Sequence, residues 1–472
     1  MVIFKPQRIR DPIHNLIEFG KSQFEHVLWK VIQTRPFQRL RRIKQLGFSD
    51  LVYPGATHTR FAHSLGVFHT ARQLMQVIRR SIGDGGFEDS KSYVALAAAL
   101  VHDLGHGMLS HAFEDVGKAR NLKMAHHENV SEKLIRDSEV SEVLKQLGSG
   151  FANDVADVIK RGRPGDFYDA VVSSQFDADR LDYMQRDRLM TGVQNSGIDF
   201  SWLINNLEIG TVNIGVDEQP LTQEVETFVL GPKAIHAAET YVLSLFQLYP
   251  TVYFHKTTRA AEKVFSALMK RVIELVQEDE AGKTGLPSTH PIVVFANDAD
   301  SIENALGLDD TVFWGGLSLM ASALDPYVAN CAKRLHERRL PKCIDIRSRL
   351  DAALESRQCP AQNANNKWID GKVDRIRERL QEWSSANSAK GPRILIDDAT
   401  RDPYKRFQES KGPLNQIRIR STDGRILDMA DSSSAIAGIK PFHLFRAYVA
   451  DDDTDAKSII DSVVQEAVGQ KE

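Results

Sequence analysis

The stretch that most restricts how this chain can fold is "YVALAAALVHDLGHGMLSHAFE", residues 93–114. Its run of small apolar side chains reads as a helix buried on all sides. The run leads directly into His102 and Asp103, with His106 and His111 close behind. A carboxylate carried into a core costs several kcal/mol unless donors or a cation meet it. The rest of the fold must therefore bring partners to the end of this helix.

Helical periodicity dominates residues 20–270. It predicts helices over 24–33, 36–47, 59–82, 91–105, 127–137, 177–192 and 232–277, with Gly47, Gly105 and Gly192 as stops. Residues 206–231 predict a short β-hairpin. A polar break follows at 278–291, "EDEAGKTGLPSTHP". Its "GKT" is not a phosphate loop, because Gln277 stands where that motif's first glycine belongs. Further helices are expected over 301–357, including the basic "CAKRLHERRLPK", and then a polar stretch, "ESRQCPAQNANN". Strands over 391–398, 415–429 and 443–453 come next, the second folded at "TDG", and a last helix over 454–468. The expected fold class is mainly α: a helical bundle with a small hairpin over 1–277. A mixed α+β lobe over 278–472 packs on it and takes part in oligomerisation.

With 472 residues and 42% apolar side chains, the chain has room for two or three domains and a substantial core. A net charge of −3 argues against nucleic-acid binding driven by overall charge, while leaving room for a local basic groove. Cys331, Cys343 and Cys359 form no CxxC pair and read as thiols of a reducing compartment. The N-terminus has no apolar leader, and no run reaches the ~18 apolar residues of a membrane span. A soluble, cytoplasmic protein without membrane contact is expected.

Adjacent helical residues project ~100° apart, so His102 and Asp103 can share an ion only near a helix end or across a cleft. Candidate partners are His63, in "THTRFAHSLG", and Asp179, in "FDADRLDYMQRD". In the latter segment Asp179, Asp182, Tyr183, Arg186 and Asp187 fall on one helix face. A polar stripe in an apolar bundle faces water or lines a cavity. Singly, each residue has an ordinary reading: a satisfied core histidine, an N-cap at Asp179, or an Asp182–Arg186 pair worth a few tenths of a kcal/mol. Together, two imidazoles and two carboxylates suit a divalent metal such as Mn, Fe, Ni, Zn or, less well, Mg. Such a set leaves positions open for water and substrate.

The segments "RIRDPIHNLIEF", "PFQRLRRIKQLG", "VYPGATHTRFAHSLGV", "VHDLGHGMLSHAFE", "HHE", "DADRLDYMQRD" and "VYFHKTTRAAE" occur in that order. With H…HD…D they resemble the HD phosphohydrolase superfamily. The resemblance is to the branch of SAM- and HD-domain deoxynucleoside triphosphate triphosphohydrolases and bacterial dGTPase-type enzymes. It covers residues 8–270 and thins beyond 290 to "RLHERRLPK" and "DPYKRF".

The resemblance implies an HD helical bundle that cleaves a dNTP at the α-phosphorus, releasing deoxynucleoside and inorganic triphosphate. His63, His102, Asp103 and Asp179 would hold the metal, with a second Mg on the triphosphate. His111 would do acid/base work with Glu114 orienting it. His106, between two glycines, would lie near a phosphate. His127 would stand with Glu128 beside the phosphates, His126 being the alternative. Arg60, Arg180 and Lys256 would grip the triphosphate. Gln45 and Leu46 would read the 3′-hydroxyl and crowd the 2′ carbon, with Tyr183, Asp187 and Tyr253 about the sugar. A homo-oligomer, dimer or tetramer, and a nucleotide effector complete the expectation. Two departures stand against it in detail. Gln33 replaces an activator-reading Asp, although Gln38 and Arg41 are kept, and Tyr249 replaces a histidine near the substrate. The rival readings are an HD enzyme acting on another phosphate ester, such as single-stranded nucleic acid held by "RLRRIK", and a catalytically silent nucleotide sensor.

Overall fold

The structure, a computed structural model, describes residues 4–162, 165–194, 197–214, 223–355, 362–402, 404 and 416–469. Cys359, Asn415 and most of "DPYKRF" lie outside those residues. The chain forms two compact units. The first comprises Met1–Pro250, Asp300–Asp310 and Asp402–Lys440; the second comprises Thr251–Ala299, Thr311–Arg401 and Pro441–Glu472. The polar break at 278–291 falls inside the second.

The first unit opens with the hairpin β1 (Gln7–Asp11) and β2 (Asn15–Phe19). Helices α1 (Gln23–Ile32), α2 (Arg35–Arg39), α3 (Arg60–Ile82), α4 (Asp89–Val101), α5 (His111–Arg120) and α6 (His127–Asp137) follow. After them come α7 (Glu139–Leu144), α8 (Phe151–Arg161), α9 (Ala178–Thr191) and α10 (Phe200–Asn205). Then β3 (Leu207–Ile214) pairs antiparallel with β4 (Gln223–Leu230), and α11 (Ile235–Leu248) closes the run. The expected hairpin is thus present, but it grows into a four-stranded sheet. Arg418–Arg420 adds to β4 in parallel, and Ile426–Asp428 adds antiparallel to that. Helix α4 is the centre: Ala97, Ala98, Ala99, Leu100 and Val101 are wholly buried, as a helix apolar on all sides must be.

Three helices differ from expectation. The one over 36–47 stops early: α2 ends at Arg39 and a single 3₁₀ turn carries the chain to Arg42. Backbone pairing of Gln45 N to His58 O (3.0 Å) and Arg60 N to Ile43 O (2.9 Å) then holds the chain extended, so Gln45 and Leu46 sit in a turn. The helix over 91–105 ends at Val101. There the Ser131 hydroxyl donates to His102 O (3.1 Å) and accepts from Gly105 N (2.9 Å), replacing the bonds another turn would have made. The long helix over 232–277 is cut at Pro250, which has no N–H to give. A π turn spans Tyr249–Tyr253 and a new helix runs Lys256–Gln277.

The second unit has a three-stranded antiparallel sheet with Phe442–Val449 between Lys342–Asp345 and Ile394–Arg401. Ile346, Leu350, Ile376, Leu380 and Ile460 form its core. Buried Asp397 accepts from Arg259 (2.9 Å) and lies 3.1 Å from Lys263. Mainly α, with small β elements, describes the whole.

Candidate functional site

His102 and Asp103 stand just past the end of α4, where two consecutive side chains can turn to one point. His63 comes from the first turn of α3. Asp179 comes from the first turn of α9, whose N-cap is Asp177 rather than Asp179. The four expected ligands converge. His63 Nε2 lies 3.0 Å from Asp179 Oδ1 and 3.8 Å from Asp103 Oδ2; His102 Nε2 lies 3.3 Å from Asp103 Oδ1 and 3.9 Å from Asp179 Oδ1. Donors ~2.0–2.2 Å from one ion are themselves ~3–3.6 Å apart; His63, His102 and Asp103 each offer one donor within 4.8 Å of the others, and Asp179 stands beside His63, so a small inward shift would gather them on an ion.

The tautomers agree. His102 Nδ1 donates to Ala99 O (2.9 Å) and His63 Nδ1 donates to Asp182 Oδ2 (2.8 Å), which points both Nε2 atoms inward, that of His63 at Asp179 Oδ1. His102 Nε2 is buried and has no hydrogen-bond partner in the protein. Such an orphan is expensive unless something binds it. Residues and group therefore fit.

Charge is balanced from the far side. Buried Arg60 donates Nη1 to Asp103 Oδ2 (2.6 Å) and Nε to Ser110 Oγ (2.9 Å). Burial pushes the Asp103 carboxyl up, but the Arg60 guanidinium, with His102 and His106, holds it well below the ordinary range. Arg60, expected to reach for a phosphate, is thus already committed to a ligand carboxylate.

Asp182 has no exposed surface. It accepts from His63, from His14 Nε2 (2.7 Å) and from Arg186 Nε (2.7 Å) and Nη2 (2.9 Å). Arg186 Nη1 also donates to Asp11 (2.8 Å). What reads in sequence as a surface ion pair is a buried network that orients His63. Burial would lower the His63 pKa, yet its bonds to Asp179 and Asp182 raise it to about 10. A metal must therefore displace a proton there.

A second cluster adjoins the first. Glu114, on α5, accepts from His127 Nδ1 and His111 Nδ1, the latter 3.3 Å from Oε2. Its carboxyl, raised by burial, is brought strongly down by these bonds, and the same bond raises the His127 pKa against burial. Of the two adjacent histidines it is His127 that joins the cluster. His106 stacks on His127, centroids 4.0 Å apart, and its Nε2 is 3.3 Å from Asp103 Oδ1. It is buried rather than open to a phosphate, and burial with the nearby Arg60 charge keeps it neutral. Gly105 serves a different close approach: a Cβ there would meet His127 O at 2.0 Å and Ser131 N at 2.5 Å. His111 is 72% exposed, with its outer nitrogen open.

The loop between the clusters is strained. Leu109 and Ser110 hold φ of 55° and 56°, rare for residues with a side chain. Asp310 pins Leu109, its Oδ1 accepting from Leu109 N (2.7 Å) and its Oδ2 from Lys44 N (2.9 Å), while Ser110 Oγ accepts from Arg60 and donates to Lys44 O (3.1 Å). Sequence reading gave no role to Asp11 and His14, although both lie in "RIRDPIHNLIEF", and it missed Ser131 and Asp310, which sit in no motif.

The remaining expected residues scatter more widely. Gln45 Oε1 is buried without a hydrogen-bond partner, and Leu46 is half-buried. Arg180 donates to Ser174 O and to Asp177 Oδ2 (2.5 Å). Tyr183 is half-buried on α9, and Asp187 is bound to His58 Nε2 (2.8 Å). Tyr253 and Lys256 belong to the second unit, at the end of the π turn and the start of the next helix. No helix among the described residues is long and apolar enough to cross a membrane.

The HD domain signature matches residues 60–184, and the HD associated region matches residues 216–286. YwfO of Bacillus subtilis, an uncharacterized protein, is 33% identical over 71% of this chain and 71% of its own length. A Mus musculus protein named deoxynucleoside triphosphate triphosphohydrolase SAMHD1 is 32% identical over 51% of this chain, and the match spans only 39% of that longer protein. A crystal structure described as a phosphohydrolase from Bacteroides thetaiotaomicron is 25% identical. It covers 94% of this chain and all of its own, at a TM-score of 0.68. With its H…HD…D residues gathered at one point inside the matched domain, the chain belongs to the HD-domain phosphohydrolases.

Proposed function

We propose that this protein hydrolyses deoxynucleoside triphosphates to deoxynucleoside and inorganic triphosphate. The observation that carries the reading is the adjacency of a two-His, two-Asp centre to a His111–Glu114–His127 proton network, with His106 touching both. Likeness to the named mouse triphosphohydrolase supports the choice of substrate class. A divalent ion held by His63, His102, Asp103 and Asp179 would supply Lewis-acid polarisation of a phosphoryl oxygen. Ionised Glu114 keeps the His111 proton on Nδ1, leaving the exposed Nε2 to take up or deliver a proton at the ester oxygen. Arg60 keeps Asp103 ionised. The orphaned Gln45 Oε1 is an acceptor for a sugar hydroxyl, and burying an unpaired extra hydroxyl would disfavour ribonucleotides. Arg180, Tyr183 and Asp187 are the further substrate contacts proposed within the first unit, and Tyr253 and Lys256, in the second, are carried over from the family resemblance alone. Assembly as a dimer or tetramer, a nucleotide effector, a second Mg on the triphosphate and a cytoplasmic setting belong to the same reading.

The test is a product assay. Purified protein is incubated with the four dNTPs and four NTPs, singly and mixed, with Mg²⁺ or Mn²⁺, and products are resolved by chromatography and mass. Deoxynucleoside with intact triphosphate is expected, and turnover confined to mixtures would identify an effector. No dNTP turnover by metal-loaded protein, with cleavage of another phosphate ester such as a single-stranded oligonucleotide, would overturn the substrate assignment. His111→Ala is expected to keep its metal and lose most turnover.

A further inference from the structure

We propose that His106, His111, Glu114 and His127 form a second metal site, one that takes Zn²⁺ in preference to Mg²⁺. These four residues can each turn one donor atom into a space where all four donors lie within 4.8 Å of one another, apart from the set His63, His102 and Asp103. The donors are three imidazoles and one carboxylate, a set that suits zinc and is poor for magnesium, which prefers oxygen.

A second observation points the same way. His106 is 2% exposed, and its Nδ1 has no hydrogen-bond partner and lies 3.8 Å from Glu114 Oε1. Its other nitrogen faces Asp103. The orphaned Nδ1 therefore aims into the cluster. Glu114 brings the one carboxylate among the three imidazoles. The site is held from two helices that are fixed to each other: His111 and Glu114 lie on α5, and His127 opens α6 beneath Gly105.

Occupation changes what the cluster can do. A zinc ion there would replace the Nδ1 protons that His111 and His127 share with Glu114, which leave to solvent, and the proton network could then no longer exchange protons. On the proposed dNTP reading, excess Zn²⁺ is then an inhibitor that acts without displacing the metal of the first centre. This clause alone rests on that reading; the binding claim does not.

The test reads metal, not turnover. Chelator-stripped full-length protein is dialysed against Zn²⁺ and its metal content is measured by mass spectrometry. Two ions per chain are expected for the wild type, one for His102→Ala and one for Glu114→Gln/His127→Ala, with far-UV circular dichroism to check each fold. Mg²⁺ in place of Zn²⁺ should add nothing at the second site. One zinc per wild-type chain, or a count that the Glu114→Gln/His127→Ala change does not lower, would overturn the proposal. Should that variant fail to fold, a wild-type crystal soaked in Zn²⁺ and measured at the zinc edge decides. A peak among these four residues supports the site, and a peak only at the first centre rejects it.

Discussion

Asp182→Asn tests whether the buried carboxylate behind His63 is part of the metal centre or merely part of the core. The change is isosteric, so packing is preserved. Oδ2 accepts from His63 Nδ1 and Arg186 Nε, and Oδ1 accepts from His14 Nε2 and Arg186 Nη2. An amide keeps one oxygen and turns the other into a donor. Two of the four bonds are therefore lost in either amide orientation, and the new donor faces two existing ones. Bonds to charged groups contribute about 1.5–3 kcal/mol each, which gives a loss of about 3–6 kcal/mol. Breaking a buried ion pair costs about 3–5 kcal/mol, so the two routes to the number agree. Removing the carboxylate that orients a metal-binding imidazole should also weaken metal binding about 10–100-fold. Urea unfolding with a chelator present reads the first quantity. Competition against a chelating dye reads the second. Asp11→Asn is the control, because it takes a carboxylate from Arg186 without touching His63; it should lower stability and leave metal affinity alone. A loss below about 1 kcal/mol for Asp182→Asn, with metal affinity unchanged, would refute the account of this network.

His102→Ala should abolish metal binding at the first centre with little loss of stability in chelator, since its inward nitrogen has no protein partner. Metal analysis checks it, and Asp103→Ala is the poorer test because it strands buried Arg60. Gly105→Ala drives a methyl into the α6 backbone, which no side-chain rotation relieves. A loss of at least the ~1–3 kcal/mol usual for overpacking is expected, read by thermal unfolding, together with a lowered kcat as His127 is moved off Glu114. Asp310 gives a pH dependence. Burial, opposed by the Leu109 and Lys44 N–H groups, raises its pKa to about 6 from 3.8. The folded state therefore binds a proton more readily than the unfolded one, and stability rises as pH falls through 6. Relative to Asp310→Asn, the wild type should gain about 1 kcal/mol between pH 7.5 and pH 5. No relative gain in urea unfolding would count against it.

The four candidate metal ligands were legible because the H…HD…D spacing, read together with a small-residue helix ending in His-Asp, singled them out, and the structure brings them to one place. The polar face of α9 was legible as a face, but not its burial. Asp182 and Arg186 read as a surface pair because i,i+4 spacing alone does not reveal solvent exposure; here both are essentially inaccessible. The early end of α4 depended on the Ser131 hydroxyl, and the stop after Arg39 on pairing with the segment before α3. Both are decisions made by distant chain. The parallel pairing of β4 with Arg418–Arg420 is more distant still. Arg60 was found by its place one turn before His63, yet the structure commits it to Asp103. Asp310 gave no signal: it reads as one of two acidic residues opening a helix.

The pinning of Leu109 by Asp310 has a consequence for how the protein is made. A ribosome delivers His63, His102, Asp103 and Asp179 long before it delivers Asp310, which lies 201 residues after the backbone it holds. Domains tend to fold in the order of synthesis. A nascent chain that already carries every ligand still lacks the carboxylate that keeps its catalytic loop in a disfavoured conformation. The loop thus sets only after Asp310 is made, and a chain cut at 277 would carry every candidate metal ligand with a slack loop between its two histidine clusters. Setting of the loop therefore waits for a residue made well after the last of the four candidate ligands.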